Sequence, residues 1–517
     1  MKKVLSIVLS LFIVFSSFTM GIGFAMDPPK KSSNCEVEKI KNNDVHIFYC
    51  ADDGNAMPTC VSIASVLENA GDEKINIHIV SFQDNKMSEQ NIKNIEALKN
   101  IRDFDFDFVY FDKTRLDEFD TQCWNKSIMI KLYCAELFQN LDRIIWLDDD
   151  VMVLKSLKNL YNLDIGDKYL AGVDISSEHN NGGSYWMHAG IGLYNLKEMR
   201  KDNVQKSLLD SAREYATVKN KITHAYGGVE EYALTYGLPI NKVLILPCKY
   251  SVMPFSRINI TEVWPDRISD IVTIHFSGPA KPWKVLNAFG AKKWWGYALK
   301  TNFFDRSSKN IKSQIDLVQR LDSKPQKTID DDIYTISSKL NPNKCLDIDH
   351  SSKDDKANLQ LWEKNGSNAQ KFKVQYNSDG YYTIKSMCSG KFIDVSASGR
   401  QHGTNIWQYS GNGTDAQKWF IVPDGEGYCF LLPKCNDLCM DVSYSKTQNG
   451  TNIRCWFLNA SDAQRFKLEK CEDKPMSNKP SEVKKKAGKP RPNKPVKIKK
   501  NADKPNSSKP GDSKKSA

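Results

Sequence analysis

Ile144-Ile145-Trp146-Leu147-Asp148-Asp149-Asp150-Val151-Met152-Val153 decides how this 517-residue chain is read. A β-branched, apolar run that ends in three carboxylates and then turns apolar again has the form of a buried strand with its acids at the tip. In open α/β sheets ligands bind at strand tips. Carboxylates packed this closely repel one another unless a cation lies between them, and a hard divalent ion with oxygen ligands fits. Further along, Ile271-Val272-Thr273-Ile274 leads into His275-Phe276-Ser277-Gly278-Pro279-Ala280-Lys281-Pro282-Trp283. That segment offers an imidazole ligand and a lysine of phosphate-reaching length. Together the two segments suggest a metal-diphosphate site.

Around these segments, from Asp44 to about residue 302, short apolar strands alternate with longer amphipathic stretches. His46–Cys50 and Ile75–Ser81 read as strands, Thr59–Ala70 and Ser88–Ile101 as helices. The alternation predicts an α/β domain with a mostly parallel sheet and helices on both faces. Residues 303–330 are polar and read as a helical connector. His46, His78 and His224 are expected to be structural, and Trp294 and Trp295 to be packing residues.

From 331 to 470 the strands are short, and Gly, Asn and Asp abound. Asp347, Asp394 and Asp441 recur at an interval of 47 residues, as do Trp362, Tyr409 and Trp456, and Gln370, Gln417 and Gln464. Three columns at one interval imply three copies of one supersecondary unit, expected to close into a pseudo-threefold, all-β structure.

The ends differ from both regions. Met1-Lys2-Lys3 and the uncharged run Val4–Met26 form a secretory signal, expected at 1–25 with cleavage after Ala25; a retained membrane anchor in a secretory compartment is the alternative. Residues 472–517 hold fifteen Lys or Arg against five Asp or Glu, which is most of the net charge of +11. This Lys/Pro tail, 471–517, is expected to be disordered and suited to anionic surfaces. The folded remainder is near neutral, so no nucleic-acid partner is expected. Of 13 cysteines, those of the C-terminal third are where disulfides are expected. No Cys-x-x-Cys pair is present, which disfavours zinc.

Residues 44–302 resemble the family 8 glycosyltransferases, retaining enzymes of the GT-A type that use nucleotide sugars. The resemblance rests on Cys50-Ala51-Asp52-Asp53 after the first strand, the acidic triplet, Trp186 to Leu196, Glu230-Glu231-Tyr232-Ala233-Leu234, and His275 to Trp283. It implies Asp148, Asp150 and His275 as ligands of Mn2+ or Mg2+, and Lys281 as a diphosphate clamp. Ala51 and Asp52 are implied at the nucleoside, and Lys131 stands where the family usually has an Arg near the phosphates. Ala189 and His188 fall on the donor-sugar strand, where the family has Asn in place of His188. Asp174, Glu230 and Glu231 fall at the catalytic positions, with Glu231 beside the anomeric carbon.

Residues 331–470 resemble the ricin B-type lectin β-trefoil, through Cys345-Leu346-Asp347, Phe392-Ile393-Asp394 and Cys439-Met440-Asp441, each followed by a Gln-x-aromatic. The implied carbohydrate sites are Asp347, Gln360 and Trp362 in the first repeat, Asp394 and Tyr409 in the second, and Asp441 and Trp456 in the third. Trp407 and Arg454 stand where the first repeat has Gln360. The function implied is transfer of a hexose from a UDP-sugar to a carbohydrate or glycoprotein acceptor, with glycans held by the lectin domain. The alternative is a secreted lectin or adhesin whose first domain is inactive.

Overall fold

The computed structural model describes residues 44–121, 125–175, 185–218, 228–253, 268–279 and 281–471. The signal segment, all of the basic tail beyond Cys471, His224, Cys35 and Cys123 lie outside the described residues. No helix among the described residues is long and apolar enough to cross a membrane.

Strands β1 (Asp44–Cys50), β2 (Lys74–Phe82), β3 (Asp105–Phe111), β4 (Arg143–Leu147), β6 (Leu170–Asp174), β7 (Met187–Asn195) and β8 (Val243–Leu246) form one sheet. Their order is β3-β2-β1-β4-β7-β6-β8. β7 runs antiparallel to both its neighbours; the other pairings are parallel. The continuous apolar runs of β1 and β4 follow from helices covering both sheet faces. Helix Ala56–Asn69 is buried on all sides, with every residue from Pro58 to Leu67 covered, as an apolar helix packed between layers must be. Helix Glu89–Glu96 begins after Ser88, whose hydroxyl accepts from the Asn91 amide.

The C-terminal region is a twelve-stranded antiparallel structure from Asp332–Ser338 to Phe466–Lys470. Its repeat is visible in the backbone. His350 and Ser351, Ala397 and Ser398, and Tyr444 and Ser445 all take left-handed φ between 51° and 56°, one pair per copy. Gln370, Gln417 and Gln464 are buried, and each accepts from a backbone amide of its loop, at Asn365, Asn412 and Asn459. Those three Asn side chains in turn accept from the amide two residues on, an Asx turn in every copy.

One expectation is extended and one is corrected. Residues 303–330 do more than connect: helix Lys309–Leu321 buries Leu317 and Val318 in a cluster that includes Met152, Phe276, Leu286 and Trp294 on one side and Phe420, Phe430 and Leu458 on the other. The backbone of Leu286 donates to the Leu458 carbonyl at 3.0 Å, and the Asn287 side chain to that of Asp437 at 2.8 Å. The α/β and repeat regions are thus one compact unit. The eleven described cysteines, Cys388, Cys429, Cys435, Cys439, Cys455 and Cys471 included, are free thiols. Cys345, Cys439 and Cys455 are buried in the repeat region, where a thiol packs as a small hydrophobe.

Candidate metal centre and glycan sites

A two-stranded ladder brings the two diagnostic segments together. β5 (Val151–Val153) pairs antiparallel with β9 (Thr273–His275), with Val151 opposite His275. The Phe276 amide donates to the Asp150 carbonyl at 3.1 Å. As a result His275 Nε2 lies 2.9 Å from Asp150 Oδ1 and 3.7 Å from Asp148 Oδ2. One ligand atom from each of the three residues fits within 4.8 Å of the others. Asp150 Oδ1 is buried with the His275 ring nitrogen at hydrogen-bond distance, and a cation held among the three residues would take the place of that contact.

Electrostatics favour an ionised pair. Burial alone would raise the Asp150 pKa, but His275 and Lys281 outweigh it and hold the carboxyl below its usual range. Asp149 stands apart: its carboxylate meets Asn55, and burial, with Asp150 and Asp148 as like-charged neighbours, pushes its pKa up to about 7. Lys281 Nζ bonds to Asp150 Oδ2 and donates to the Phe276 carbonyl at 2.6 Å. Lys131 is only 1% exposed and donates to the Ala189 carbonyl at 2.7 Å. It also sits 3.4 Å from Asp148 Oδ1 and over the Trp146 ring, a fixed positive charge beneath the acids.

The remaining candidates lie along β7 and the strand ends. His188 is buried; its Nδ1 is 2.9 Å from Ser251 Oγ and its Nε2 is 3.0 Å from His275 Nδ1. Both ring nitrogens are engaged inside the protein, leaving neither for a sugar hydroxyl in this arrangement. Glu231 accepts from the Trp186 indole at 3.0 Å and the Ala189 amide at 3.3 Å, which anchors β7. Glu230 Oε2 is buried without a partner, and burial pushes the Glu230 pKa up to about 8. Asp174 accepts from the Trp186 amide. Ala51, Asp52, Asn55, Ser81, Phe82 and Asn125 line a cleft at the tips of β1 and β2. Asp52 accepts there from the Gly54 amide and the Asn85 side chain.

Sequence reasoning missed Ser251, Gly190 and the Ser81–Asn125 wall of the cleft. Gly190 had a signal: a glycine inside a strand marks close approach of something else. A Cβ there would lie 2.3 Å from His275 Nδ1.

In the repeat region each acid faces the residue thirteen positions on across a strand pair: Asp347 with Gln360, Asp394 with Trp407, Asp441 with Arg454. Gln360 donates to Asp347 at 3.1 Å and the Trp407 indole to Asp394 at 2.8 Å. Arg454 donates to Asp441 at 3.0 Å, and its guanidinium lies 3.9 Å over the Trp456 ring. Trp362, Tyr409 and Trp456 are half-buried on the adjoining strand.

Comparison with known proteins assigns a family to each of the two regions. The family described as glycosyl transferase family 8 matches residues 46–286. The chain carries a family 8 glycosyltransferase domain. The ricin-type beta-trefoil lectin domain-like family matches twice, over 323–409 and 368–456, so a lectin-like β-trefoil follows the transferase domain. A putative glycosyltransferase of Haemophilus influenzae is 25% identical over 256 residues, 46% of this chain and 73% of the relative. A lipopolysaccharide 1,2-glucosyltransferase of Escherichia coli is 25% identical over 257 residues, with the same coverage. The solved structure of a galactosyltransferase, LgtC, with donor and acceptor sugar analogues is 24% identical, covers 52% of this chain and 99% of its own, and has a TM-score of 0.42.

Proposed function

We propose that this chain is a retaining hexosyltransferase that moves a hexose from a UDP-sugar to a carbohydrate or glycoprotein acceptor. The observation that carries the proposal is the convergence of Asp148, Asp150 and His275, with Lys281 beside them. Two carboxylates and an imidazole suit Mn2+ better than Mg2+, which favours an all-oxygen shell. When bound, such an ion neutralises the diphosphate and polarises the bond to the sugar. Lys281 exchanges Asp150 for a phosphate oxygen, and Lys131 keeps Asp148 in place. Asp52 and the cleft beside it hold the nucleoside, and the β7 backbone at Ala189 flanks the donor sugar.

Retention fits front-face substitution. The C1–O bond to the diphosphate breaks, the acceptor oxygen bonds to C1 on the same face, and the acceptor proton passes to the departing phosphate. Asp174 and Glu230 orient the sugar hydroxyls, and Glu231, held by Trp186 and Ala189, supports the positive charge developing at C1. The glucosyl transfer named for the Escherichia coli relative supports a hexose donor. The lectin-like domain holds glycans near the acceptor site, the first repeat foremost, because Asp347, Gln360 and Trp362 keep the residue types that read a sugar. The reading has the chain exported through residues 1–25, its basic tail resting on anionic surfaces.

The test is hydrolysis of a panel of UDP-sugars by the purified chain, with and without Mn2+. Metal-dependent hydrolysis of at least one donor, abolished in Asp150→Ala, is the expected result. No turnover with any donor, together with glycan-array binding lost in Asp347→Ala, would assign the chain to the lectins instead.

A further inference from the structure

The donor-strand histidine has a place in the metal centre. His188, Ser251 and His275 form an unbroken line of contacts: Ser251 Oγ to His188 Nδ1 at 2.9 Å, and His188 Nε2 to His275 Nδ1 at 3.0 Å. His275 Nε2 then faces Asp150. All three residues are buried, Ser251 at 1% exposure, His188 at 4% and His275 at 6%. The line is held by backbone from three separate elements. The His275 amide donates to the Val252 carbonyl, which fixes Ser251 beside β9, and the Asp148 amide donates to the Gly190 carbonyl, which fixes β7 beside the acids. The missing side chain at Gly190 is what lets His275 approach β7.

The geometry points to His188 as a positioning residue that sets the tautomer and ring orientation of His275 for metal binding, with Ser251 fixing His188 in turn. This rests on the metal reading given above. If His275 ligates through Nε2, its proton sits on Nδ1, and that N–H donates to His188 Nε2. His188 must then carry its own proton on Nδ1, and donates it to Ser251 Oγ. Each ring N–H along the line meets an acceptor, with one tautomer for each ring. A ligand histidine whose second nitrogen is fixed in this way is a better metal ligand, and losing such a partner typically weakens metal binding about 10–100-fold.

The experiment is calorimetric titration of the full chain with Mn2+, without nucleotide, alongside electron spin-echo spectroscopy of the bound ion. Wild type is expected to bind one Mn2+ and to show the modulation of a coordinated imidazole nitrogen, and Asp150→Ala to lose the binding. His188→Leu, which keeps bulk but no acceptor, is expected to bind Mn2+ about 10–100-fold more weakly, with the nitrogen modulation reduced. His188→Gln, whose amide oxygen can accept from His275 Nδ1, recovers most of both. Ser251→Ala lowers affinity by a smaller factor, and decides the matter should His188→Leu fail to fold. A flat wild-type titration would remove the metal reading and this role with it. Wild-type binding lost in Asp150→Ala, but equal within twofold in the His188 and Ser251 variants, would overturn the positioning role alone.

Discussion

At Gly190 the absence of a side chain is what leaves room for the His275 ring. A methyl there meets the His275 ring at 2.3 Å, a distance no relaxed contact reaches, so Gly190→Ala must displace the ring or the strand. The expected outcome is a loss of Mn2+ affinity of at least about tenfold, measured by titration, while the far-UV circular dichroism stays unchanged. The lectin-like repeats give a second residue-scale contrast. Asp441 is ion-paired with Arg454, and both side chains are buried. Asp441→Ala leaves that guanidinium without its partner and is expected to cost about 3 kcal/mol in urea unfolding. Asp347 meets the uncharged Gln360 instead. Asp347→Ala should therefore cost nearer 1 kcal/mol while weakening glycan binding about tenfold or more on an array. Equal stability losses in the two variants would contradict this assignment of roles.

Among the elements, β1 and β2 carry a titratable pair far from the metal centre. His46 Nδ1 lies 3.0 Å from His78 Nε2, and His78 Nδ1 lies 2.9 Å from Asp107. Burial, with His78 beside it, pushes the His46 pKa down to about 4. Between that value and the ordinary 6.5 the unfolded chain binds the proton that the folded chain refuses. Stability from this site is therefore complete above about pH 6.5 and is lost as pH falls toward 4, by about 2 kcal/mol once partial solvent screening is allowed for. His46→Phe should flatten that slope in denaturant melts at pH 4.5 and 7; an unchanged slope would contradict it. What could be read in the chain follows from where contacts lie. The acid tip of β4 and the His275 segment were legible because each is a local pattern, and the ladder joining them needs only two short apolar runs. The trefoil was legible because its columns repeat at one interval. The pairing of His188 with Ser251 was not, since Ser251 sits in no pattern and its contact depends on how three elements close together. Nor was the engagement of both Glu231 oxygens, which depends on an indole 45 residues away.

The whole molecule behaves as one folded unit from 44 to 471, and this changes what the lectin-like domain does. Phe420, Phe430 and Leu458 of the repeat region share a cluster with Phe276 and Leu286, which flank Lys281 in sequence. The lectin-like domain thus braces the segment that carries His275 and Lys281. Ending the chain after residue 302 would expose Met152, Phe276, Leu286 and Trp294, at roughly 1.5–3 kcal/mol for each large side chain uncovered. The truncated chain is expected to melt well below the full chain and to aggregate; a soluble fragment with the same melting temperature would contradict the bracing. The central claim is that residues 148, 150 and 275 share one cation. Crystals soaked in Mn2+ and UDP, with data collected across the manganese absorption edge, test it most directly. An anomalous peak within about 2.5 Å of a carboxylate oxygen of Asp148 and of Asp150 and of His275 Nε2 is the predicted result. Nucleotide bound with no such peak, or a peak elsewhere, would contradict it.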